Sequence, residues 1–595
     1  MQKFLNKFLV GNKLKFISLF IYILIYTILM LFCSLIISFT IDNVINMEKI
    51  NNSFFMWFSN FFGGVDYLRN NLFILALILV AINLVIAILI YIRIFVQAKV
   101  SESMAKKIKD TMYSHIQNLP FEYLVDHNSG DLIQRCTSDI DTIRKFINGK
   151  IEEMFRSLIA PIIAAIILFN INTKLALISI ISLPIIFIYA YRFFKSVQKL
   201  FKESDEADGS MSANIQESLN GIRISKAFNN ENYEISKFNK YNKEYQNTTY
   251  KVILNLGRYF STNTLLCYTQ IFLVIIFGII MVNNNELSYG SLFVFITYES
   301  EIVWPIRGLG RLLNDYGKTT ISIDRINEIL NIEEEDLISG EKHEIKGNIE
   351  FKNVYFKYPN NNQYVLKNIC FKINSGDNVA IIGKTGSGKS SLVYLLEQLY
   401  TQTKGEIFID NHDIRLFNKD YLRKNVAVVL QEPFLFSRTI KDNVIIANKH
   451  ASCKEIELAT KIANIHNVIK DFDNGYETMV GENGVTLSGG QKQRLAIART
   501  IINETPILIF DDSLSAVDSK TDKKIKESLN KLNKQTTKII ITQRISACQN
   551  SDLIIVLDDG MITNIGKHDE LIKQDGLYKK VYDIQSNMMG GEDNV

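Results

Sequence analysis

The chain of 595 residues carries little net charge and has no cysteine pattern typical of a metal or redox site. Its formal net charge is +4 and its pI is about 8.4, and it contains no basic tract typical of a groove for RNA or DNA. We therefore expect no nucleic-acid partner. The cysteines are scattered without a CxxC spacing, which predicts ordinary reduced thiols (Cys33, Cys136, Cys267, Cys370, Cys453 and Cys548).

A cleavable signal peptide is also missing. Residues 1–15 are basic, but the apolar run that follows them is longer than a signal-peptide core and lacks a small-residue cleavage site. We therefore expect this run to remain in the protein as a transmembrane helix. The sequence also has no N-terminal protease domain with a Cys/His pair before this run, which disfavours peptide export coupled to processing.

Hydrophobic residues make up 47% of the chain, and their excess lies in the first 315 residues. A chain of this length is too long to form a single hydrophobic core, so we expect a transmembrane domain over residues 1–315 and a soluble domain after it. Apolar stretches long enough to cross about 30 Å of hydrocarbon predict six membrane spans, at roughly 15–43, 71–98, 149–171, 173–195, 252–282 and 288–312.

The connections at 99–148 and 196–251 are long and rich in Lys and Arg, which predicts that they lie in the cytoplasm. Both termini are then cytoplasmic, as expected for a multi-pass protein of a bacterial plasma membrane. Apolar residues recur at helical spacing through both connections, so the membrane helices are predicted to continue beyond the lipid bilayer. Turn signals at 126–131 and 218–223 mark segments that we expect to contact the soluble domain.

The sixth predicted span contains two acidic residues, Glu299 and Glu301. One interpretation is that they lie beside a water-filled cavity or a subunit interface and are merely tolerated there. The other is a substrate cavity for a cationic compound, because charge at membrane depth is costly. Residues two apart point about 200° apart on a helix, so at most one of them faces a given ligand.

Short β-rich runs alternate with helical stretches after a charged connector at 316–346, which predicts a largely parallel α/β domain over 347–590. The run "GKTGSGKS" follows a strand and precedes a helix, as a P-loop requires. Its backbone N–H groups would wrap the phosphates of ATP or GTP, while Lys389 reaches the terminal phosphates and Ser390 ligates Mg²⁺. The predicted ATP-binding residues are Gly383, Lys384, Thr385, Gly386, Ser387, Gly388, Lys389, Ser390 and Ser391.

An apolar strand ends at Asp511, in "ILIFDDSLSAVD". A carboxylate at the end of a strand beside a P-loop is the expected partner of the nucleotide's Mg²⁺. The next residue, Asp512, is the candidate for activating the attacking water.

The run "LSGGQKQRLAIART" (487–500) resembles the signature of ATP-binding-cassette (ABC) proteins, and "LQEPFLFSRTIKDNV" (430–444) and "SAVD" extend the resemblance. The whole chain is similar to an ABC exporter half-transporter: a bundle of six transmembrane helices with cytoplasmic extensions, followed by an α/β P-loop domain. The resemblance implies that Tyr358 stacks on adenine, that Gln431 senses Mg²⁺ and couples to the membrane helices, and that Ser515 to Asp518 lie at a dimer seam. It also implies two coupling segments, "DHNSGDLIQRCTSDID" and "GIRISKAFNNE".

The signature also has a physical interpretation. Ser488, Gly489 and Gly490 open a predicted amphipathic helix, whose N–H groups and dipole form a second anion site. The signature, Leu487 to Gln491, would then face the P-loop of a partner domain in a head-to-tail dimer.

Two residues depart from the family pattern at the hydrolytic site. Asp512 stands where the family usually has Glu, and Gln543 stands where it usually has the His that contacts the γ-phosphate. A shorter carboxylate misplaces a general base, and a Gln amide cannot gain the charge that a His can. The pattern resembles heterodimeric exporters in which one site hydrolyses ATP poorly, so we expect a non-identical partner with the competent site.

The sequence thus predicts one subunit of an ATP-driven exporter of amphipathic or lipophilic compounds, of the multidrug efflux type. Its expected cofactors are ATP and Mg²⁺, and its expected partners are the lipid bilayer, a lipophilic substrate and the second half-transporter. The alternatives are export of a peptide, lipid or siderophore, and a nucleotide-gated channel or regulatory subunit. The sequence has no regulatory insertion between its halves, which disfavours the channel.

Overall fold

A computed structural model describes residues 1–50, 52–181, 183–481, 484, 486–513, 518–531 and 535–589. The chain forms two compact units. The first contains Met1–Asn118 and His127–Glu333, and the second contains Leu119–Asp126 and everything from Glu334 onward. The boundary at 333/334 falls inside the connector predicted at 316–346.

Among the described residues, helices α1 to α14 belong to the first unit, except α6, which belongs to the second. Pi-helical turns at Thr40–Ile45, Arg135–Asp139 and Phe146–Lys150 join some of them. The helices are α1 (Gln2–Phe8), α2 (Lys13–Phe39), α3 (Ser53–Phe61), α4 (Val65–Asn70), α5 (Leu72–Gln117), α6 (Phe121–Asp126), α7 (Ser129–Gln134), α8 (Ile140–Lys145), α9 (Ile151–Ile171), α10 (Thr173–Ile180), α11 (Leu183–Asn220), α12 (Ile222–Ala227), α13 (Glu231–Asn283) and α14 (Tyr289–Leu330).

Five helical segments in the described part of the chain are long and apolar enough to cross a membrane: Lys13–Ile45, Leu72–Gln117, Ser129–Ile171, Thr173–Asn220 and Glu231–Asn283. The sixth predicted span lies in α14, which has 42 residues but is less apolar because it carries Glu299 and Glu301. Helices α5 and α13 have 46 and 53 residues, more than the roughly 20 that cross the hydrocarbon. The helices therefore continue through the charged connections, and α14 also occupies the first half of the predicted 316–346 connector.

The beginning of α14 is fixed by a buried carboxylate from another helical segment. Asp42 Oδ1 accepts the Gly290 N–H at 2.6 Å, and Asp42 Oδ2 accepts the Ser288 hydroxyl at 2.6 Å. Ser288 in turn caps the helix by accepting the Ser291 N–H at 3.2 Å. A carboxylate at a helix N-terminus satisfies free N–H groups and is favoured by the helix dipole. This contact joins the first and last membrane helices of the unit.

The second unit contains two sheets. Strands β1 (Ile349–Phe356), β2 (Leu366–Ile373), β4 and β5 form an antiparallel sheet in the order β2-β1-β4-β5, and the other six form a sheet in the order β10-β9-β3-β8-β7-β6. All pairs in the larger sheet are parallel except β9 with β10. The remaining strands are β3 (Asn378–Gly383), β4 (Lys404–Ile409), β5 (His412–Asp413), β6 (Val426–Val429), β7 (Ile507–Asp511), β8 (Thr537–Thr542), β9 (Leu553–Asp558) and β10 (Met561–Gly566).

Among the described residues, ten further helices surround these sheets. One apolar core fills the space between the two sheets and the helix after β3, and a second lies under the helices between β6 and β7. The α/β architecture expected for the soluble domain is thereby confirmed. The helices are α15 (Lys389–Leu396), α16 (Lys419–Asn425), α17 (Ile440–Val444), α18 (Cys453–Ile462), α19 (His466–Lys470), α20 (Gly489–Ile501), α21 (Ser519–Lys531), α22 (Ile545–Cys548), α23 (His568–Leu571) and α24 (Leu577–Met589).

Helix α6 is a short segment of the membrane half of the sequence that packs in the second unit. The Phe121 ring lies 5.8 Å from the ring centroids of both Tyr394 and Tyr400. Asn360 Nδ2 donates to Asp126 Oδ2 at 2.6 Å. The resemblance implies a coupling segment at 126–141. Phe121 lies before this segment, and Asp126 is its first residue. In the other implied segment, Ile222, Ile224 and Phe228 are exposed on and beside α12.

The junction of Asp42 with α14 generates a stability prediction. A Cβ at Gly290 would lie 2.5 Å from both Asp42 Oδ2 and the Ser38 carbonyl oxygen. We expect Gly290→Ala to lower the free energy of unfolding by about 1–3 kcal/mol, as overpacking of a buried contact does. The measurement is thermal unfolding of the purified protein in detergent.

The matched control is Gly209→Ala in α11, where a Cβ would have no heavy atom within 4 Å. Replacing an exposed helical Gly by Ala stabilises a helix by up to about 1 kcal/mol. A Gly290→Ala protein that melts at or above the temperature of Gly209→Ala would contradict the tight packing described.

Candidate nucleotide site and membrane cavity

The P-loop connects the end of β3 to the first turn of α15. Gly388 begins that helix with a φ of 97°, a left-handed conformation that favours glycine. At Gly383 a Cβ would lie 2.2 Å from the Leu557 carbonyl oxygen, so a side chain is excluded by close packing against β9. The glycines thus let the loop curl tightly, which directs its backbone N–H groups toward a bound anion.

Lys389 is held inside this loop. Its Nζ donates to the carbonyl oxygens of Gly383 at 2.8 Å and Lys384 at 2.6 Å. Burial lowers the pKa of Lys389, while the nearby carboxylates of Asp512 and Asp511 oppose that shift. The other loop lysine, Lys384, is more exposed, and its Nζ lies 3.5 Å from Asp558 Oδ1. Lys389 is therefore the ammonium placed for phosphate, and Lys384 contributes its backbone.

Two of the predicted metal ligands, Asp511 and Ser390, are in contact at one edge of the larger sheet, and the third follows a neighbouring strand. Asp511 ends β7 and is buried beside the Ser390 hydroxyl. Burial raises the pKa of Asp511, the hydrogen bond from Ser390 lowers it, and the charge of Asp512 raises it again. Gln431 is exposed just beyond β6, whose Val429 pairs with Phe510 in β7.

This donor set suits Mg²⁺. A carboxylate, a hydroxyl and an amide oxygen are the hard ligands that Mg²⁺ prefers alongside phosphate oxygens and water. The Ser387 hydroxyl in the same loop is buried and has no hydrogen-bond partner, as expected of a group whose partner is a bound phosphate. The residues present therefore fit a magnesium nucleotide.

Both departures from the family pattern lie at this edge. Asp512 has a φ of 44°, and its N–H donates to the Ile541 carbonyl oxygen at 2.9 Å. Burial raises the pKa of Asp512, and the positive charges of Lys389 and Arg544 lower it. Gln543 directly follows β8, and its Nε2 donates to the Thr385 hydroxyl of the P-loop at 3.2 Å. The structure thus brings Asp512 and Gln543 to the phosphate end of the loop.

Tyr358 lies beside α15. Its hydroxyl and the Ser391 hydroxyl are 2.9 Å apart, and its ring contacts Phe356 and Tyr400 edge-on, with centroids 4.9 Å and 5.2 Å away. The ring is half-buried by these contacts. Stacking of this ring on adenine remains a prediction.

The signature begins α20 as the sequence suggests. The Ser488 hydroxyl accepts the Gln491 N–H at 3.3 Å, and the Gln491 Oε1 accepts the Ser488 N–H at 2.9 Å, which is a complete capping box. Leu487 is buried in the second core, whereas Ser488 and Gly489 are exposed. Ser515 to Val517 of the implied dimer seam lie outside the described residues, and Asp518 is exposed with its Oδ1 accepting the Thr521 N–H at 2.9 Å.

Sequence reasoning missed the side chains that support this site. Gln493 in α20 donates to the Leu430 carbonyl oxygen at 3.2 Å, just before Gln431. Arg499 is bonded to the carbonyl oxygens of Phe434 at 2.9 Å and Asn443 at 2.8 Å. Their signal was present, since Gln493 is a buried and Arg499 a half-buried polar residue of an amphipathic helix, where such groups require partners.

The first unit contains a cavity of about 700 Å³. Glu301 lines it, whereas Glu299 is fully buried and does not. Phe193 and Tyr259 stack in its wall with centroids 3.8 Å apart. Three further charged residues line the cavity that the sequence pattern did not indicate: Glu153, Arg156 and Arg311. Two of them, Glu153 and Arg156, lie in "IEEMFR" at the start of the third span.

The charges of this cavity are partly compensated. Arg311 Nη2 lies 2.5 Å from Glu153 Oε1, which pairs two of the four charged groups. Glu301 forms no ion pair with any side chain that the structure describes. The cavity is therefore mainly aromatic and apolar, and its remaining charged groups are the Glu301 carboxylate and the Arg156 guanidinium.

A P-loop with a magnesium-type donor set, on the same chain as membrane-spanning helices, defines a membrane protein that uses a nucleoside triphosphate. Residues 16–306 match the model of the ABC transporter transmembrane region, and residues 366–515 match the model described as ABC transporter. The chain belongs to the ABC transporters and is an exporter-type member with its transmembrane and ATP-binding domains on one polypeptide.

Relatives that match over most of their length support this membership. YknU of Bacillus subtilis, an ABC transporter ATP-binding protein, is 36% identical over 483 residues, covering 80% of this chain and 82% of YknU. The multidrug resistance-like ATP-binding protein MdlA of Buchnera aphidicola is 37% identical over 507 residues, covering 84% of this chain and 87% of MdlA. A solved bacterial Atm1-family ABC exporter with ATP bound matches the fold with a TM-score of 0.82 at 23% identity, over 96% of this chain and 99% of that one.

The two P-loop lysines provide a prediction with an internal control. We expect Lys389→Ala to weaken ATP binding at least about tenfold, because it removes the ammonium placed between the phosphates and the two carboxylates. Lys384→Ala should change binding less than about threefold, because the Lys384 side chain is directed to Asp558. Fluorescent-nucleotide titration of the purified proteins measures both, and equal effects of the two substitutions would contradict the placement of Lys389.

Proposed function

We propose that this chain is one subunit of a heterodimeric, ATP-driven exporter of amphipathic or lipophilic compounds. Its own nucleotide site hydrolyses ATP slowly, and its signature completes the active site of a non-identical partner. The observation that carries this proposal is the position of the two departures from the family pattern. Asp512 and Gln543 both lie at the P-loop, and Gln543 contacts Thr385 directly.

The chain's own residues would bind the nucleotide in the usual manner. The loop from Gly383 to Ser391 holds the phosphates with its N–H groups, and Lys389 adds a positive charge. Ser390, Gln431 and Asp511 would hold Mg²⁺, which neutralises the charge on the phosphate oxygens. Tyr358 would stack on the adenine.

Hydrolysis is slow because the water-activating carboxylate is short and its backbone is fixed. The Asp512 N–H is bonded to Ile541, so the backbone is held while the side chain is one methylene shorter than Glu. A well-placed general base contributes about 10²- to 10⁴-fold to a rate, and a displacement of more than about 1 Å forfeits much of that factor. Gln543 donates a hydrogen bond but cannot carry the positive charge of a protonated His.

The signature, by contrast, is complete. The N-terminus of α20 is exposed and rigidly capped, and a helix N-terminus stabilises an anion. It would face the γ-phosphate of the nucleotide bound to the partner. A homodimer would contain two impaired sites and no competent one, which favours a different partner chain.

The cavity of the first unit is the proposed substrate site. Its aromatic wall and the Glu301 carboxylate suit an amphipathic cation, and the name of the relative MdlA associates that protein with multidrug resistance. In the proposed orientation both termini and the second unit lie in the cytoplasm, and the substrate leaves the cell. Export of a peptide, lipid or siderophore, or a channel function, would appear as transport of another cargo or as ATP-gated conductance.

The separation of the two half-sites predicts unequal effects of two substitutions. We expect Gly489→Asp to lower the ATPase of the co-purified pair at least about tenfold, because it places a carboxylate where the γ-phosphate binds. The fold should tolerate it, since a Cβ at Gly489 has no heavy atom within 4 Å. Asp512→Asn should change the rate less than about twofold, because it affects a site that already turns over slowly.

The measurement is steady-state ATP hydrolysis by the co-purified pair. The isolated chain is a second sample, which should bind Mg·ATP and hydrolyse it slowly. Brisk turnover by the isolated chain, or loss of activity in Asp512→Asn with Gly489→Asp intact, would show that Asp512 is a working base and that the proposal is wrong.

The substrate assignment predicts a charge-dependent change in transport. We expect Glu301→Gln to reduce transport of a lipophilic cation such as ethidium at least about fivefold and transport of a neutral dye less than about twofold, because only the cation uses the carboxylate. Glu301→Asp retains the charge and is the control. Transport into inverted vesicles is the measurement, and equal losses for both dyes would contradict a role of Glu301 in cation recognition.

A further inference from the structure

The last helix, α24, contacts the segment that carries one of the two altered residues. The side-chain amide of Gln585 in α24 makes two hydrogen bonds to the main chain after β8. Its Nε2 donates to the Gln543 carbonyl oxygen at 2.9 Å, and its Oε1 accepts the Ile545 N–H at 2.9 Å. A carbonyl oxygen only accepts and an N–H only donates, so these two partners fix the orientation of the amide. One side chain thus holds both ends of the segment 543–545.

This segment faces the phosphate end of the nucleotide site. Gln543 Nε2 donates to the Thr385 hydroxyl of the P-loop at 3.2 Å. Arg544 lies near Asp512: burial raises the pKa of that carboxyl, and the charge of Arg544 is among those that lower it. Movement of the segment away from Gln585 would therefore displace both side chains, Gln543 and Arg544, from the phosphate end of the site.

The apolar face of α24 fixes the position of Gln585. Tyr578, Val581 and Gln585 follow each other at spacings of three and four residues, so they share one face of the helix. Tyr578 is 1% exposed, and its hydroxyl lies 2.6 Å from Nδ1 of His568. Val581 packs against the same buried apolar group that contains Tyr578 and Ile545. The helix and the segment that it supports therefore belong to one core, which sets their distance.

A cavity of about 190 Å³ is shared by α24 and the P-loop. It is lined by Gly383 and Lys384 of the loop, by Tyr578 and Gln585 of α24, and by Gln543. The helix and the loop thus face each other across open space at this place. Gln543 bridges that space, because its carbonyl oxygen is bonded to the helix and its side chain is bonded to the loop.

The two hydrogen bonds require an amide at this position. A Glu side chain could accept the Ile545 N–H, but its carboxylate has no donor for the Gln543 carbonyl oxygen, and a Met side chain has neither group. We propose that Gln585 is a positioning residue of the nucleotide site, which holds Gln543 and Arg544 at the P-loop and thereby favours ATP over ADP. This inference rests on the proposed function, in which Gln543 replaces the His that contacts the γ-phosphate.

The test is the ratio of ATP affinity to ADP affinity of the purified full-length chain in detergent, measured with Mg²⁺ by competition against a fluorescent nucleotide. Gln585→Met keeps an unbranched side chain of similar length and removes both hydrogen bonds. We expect it to weaken ATP binding about fivefold and ADP binding less than about 1.5-fold, because only ATP has the γ-phosphate. Asp583→Asn, at an exposed position of the same helix, is the control and should change neither affinity. Equal losses for ATP and ADP would show a purely structural role and overturn the proposal.

A measurement on the wild-type chain keeps the inference testable if Gln585→Met does not fold. Amide hydrogen exchange of residues 577–589 should be slower with Mg·ATP than with Mg·ADP, because the γ-phosphate orders the segment to which Gln585 is bonded. Wild-type protein that binds no Mg·ATP would contradict the proposed function and this inference alike. Normal binding with an unchanged ATP-to-ADP ratio in Gln585→Met, or with equal exchange in the two nucleotides, overturns this inference alone.

Discussion

Parallel pairing of three strands is the constraint on which the nucleotide site depends. Ile382 of β3 pairs with Thr542 of β8, and Ile541 of β8 pairs with Asp511 of β7. Because neighbouring parallel strands end at one edge of a sheet, the P-loop, the two aspartates and Gln543 emerge together. Without this register the motifs would be separate segments of sequence, and neither the lysine nor the magnesium ligands would meet a common phosphate.

The same constraint explains why some of the site could be predicted from the sequence and some could not. "GKTGSGKS" and "ILIFDD" can be recognised from the sequence, because a glycine-rich loop and a strand that ends in a carboxylate are each defined by consecutive residues. Gln493 and Arg499 act through carbonyl groups of a segment some 60 residues earlier, so only the folded chain reveals their partners. The sequence likewise does not predict the helical state of residues 316–330, because the charge density of this stretch indicates a connector, whereas one of its faces is buried in the structure.

The acidic residues of the membrane half show how burial alone fails to define function. Asp42 and Glu299 are both buried, but Asp42 accepts hydrogen bonds from an N–H and a hydroxyl at the start of α14. Its negative charge is therefore compensated by the helix terminus that it caps. Glu299 instead lies in the middle of α14, where its neighbours are the Ser179 and Gln270 side chains. Sequence periodicity predicted that Glu299 and Glu301 point apart, but which of them faces the cavity depended on the packing of α14.

The asymmetry proposed for the nucleotide site rests on rigidity as much as on residue type. A short carboxylate on a mobile loop approaches a water molecule by moving its backbone, but the Asp512 N–H is tied to β8. Gln543 is restrained in a similar way, since its carbonyl oxygen accepts Gln585 Nε2 at 2.9 Å and Gln585 Oε1 accepts the Ile545 N–H at 2.9 Å. Both altered groups are thus anchored through their main chain to the sheet or to α24. This anchoring supports the proposal that local relaxation does not restore the geometry that the longer Glu and the chargeable His would provide; the proposed catalytic deficit would then follow from the fold at this edge of the sheet.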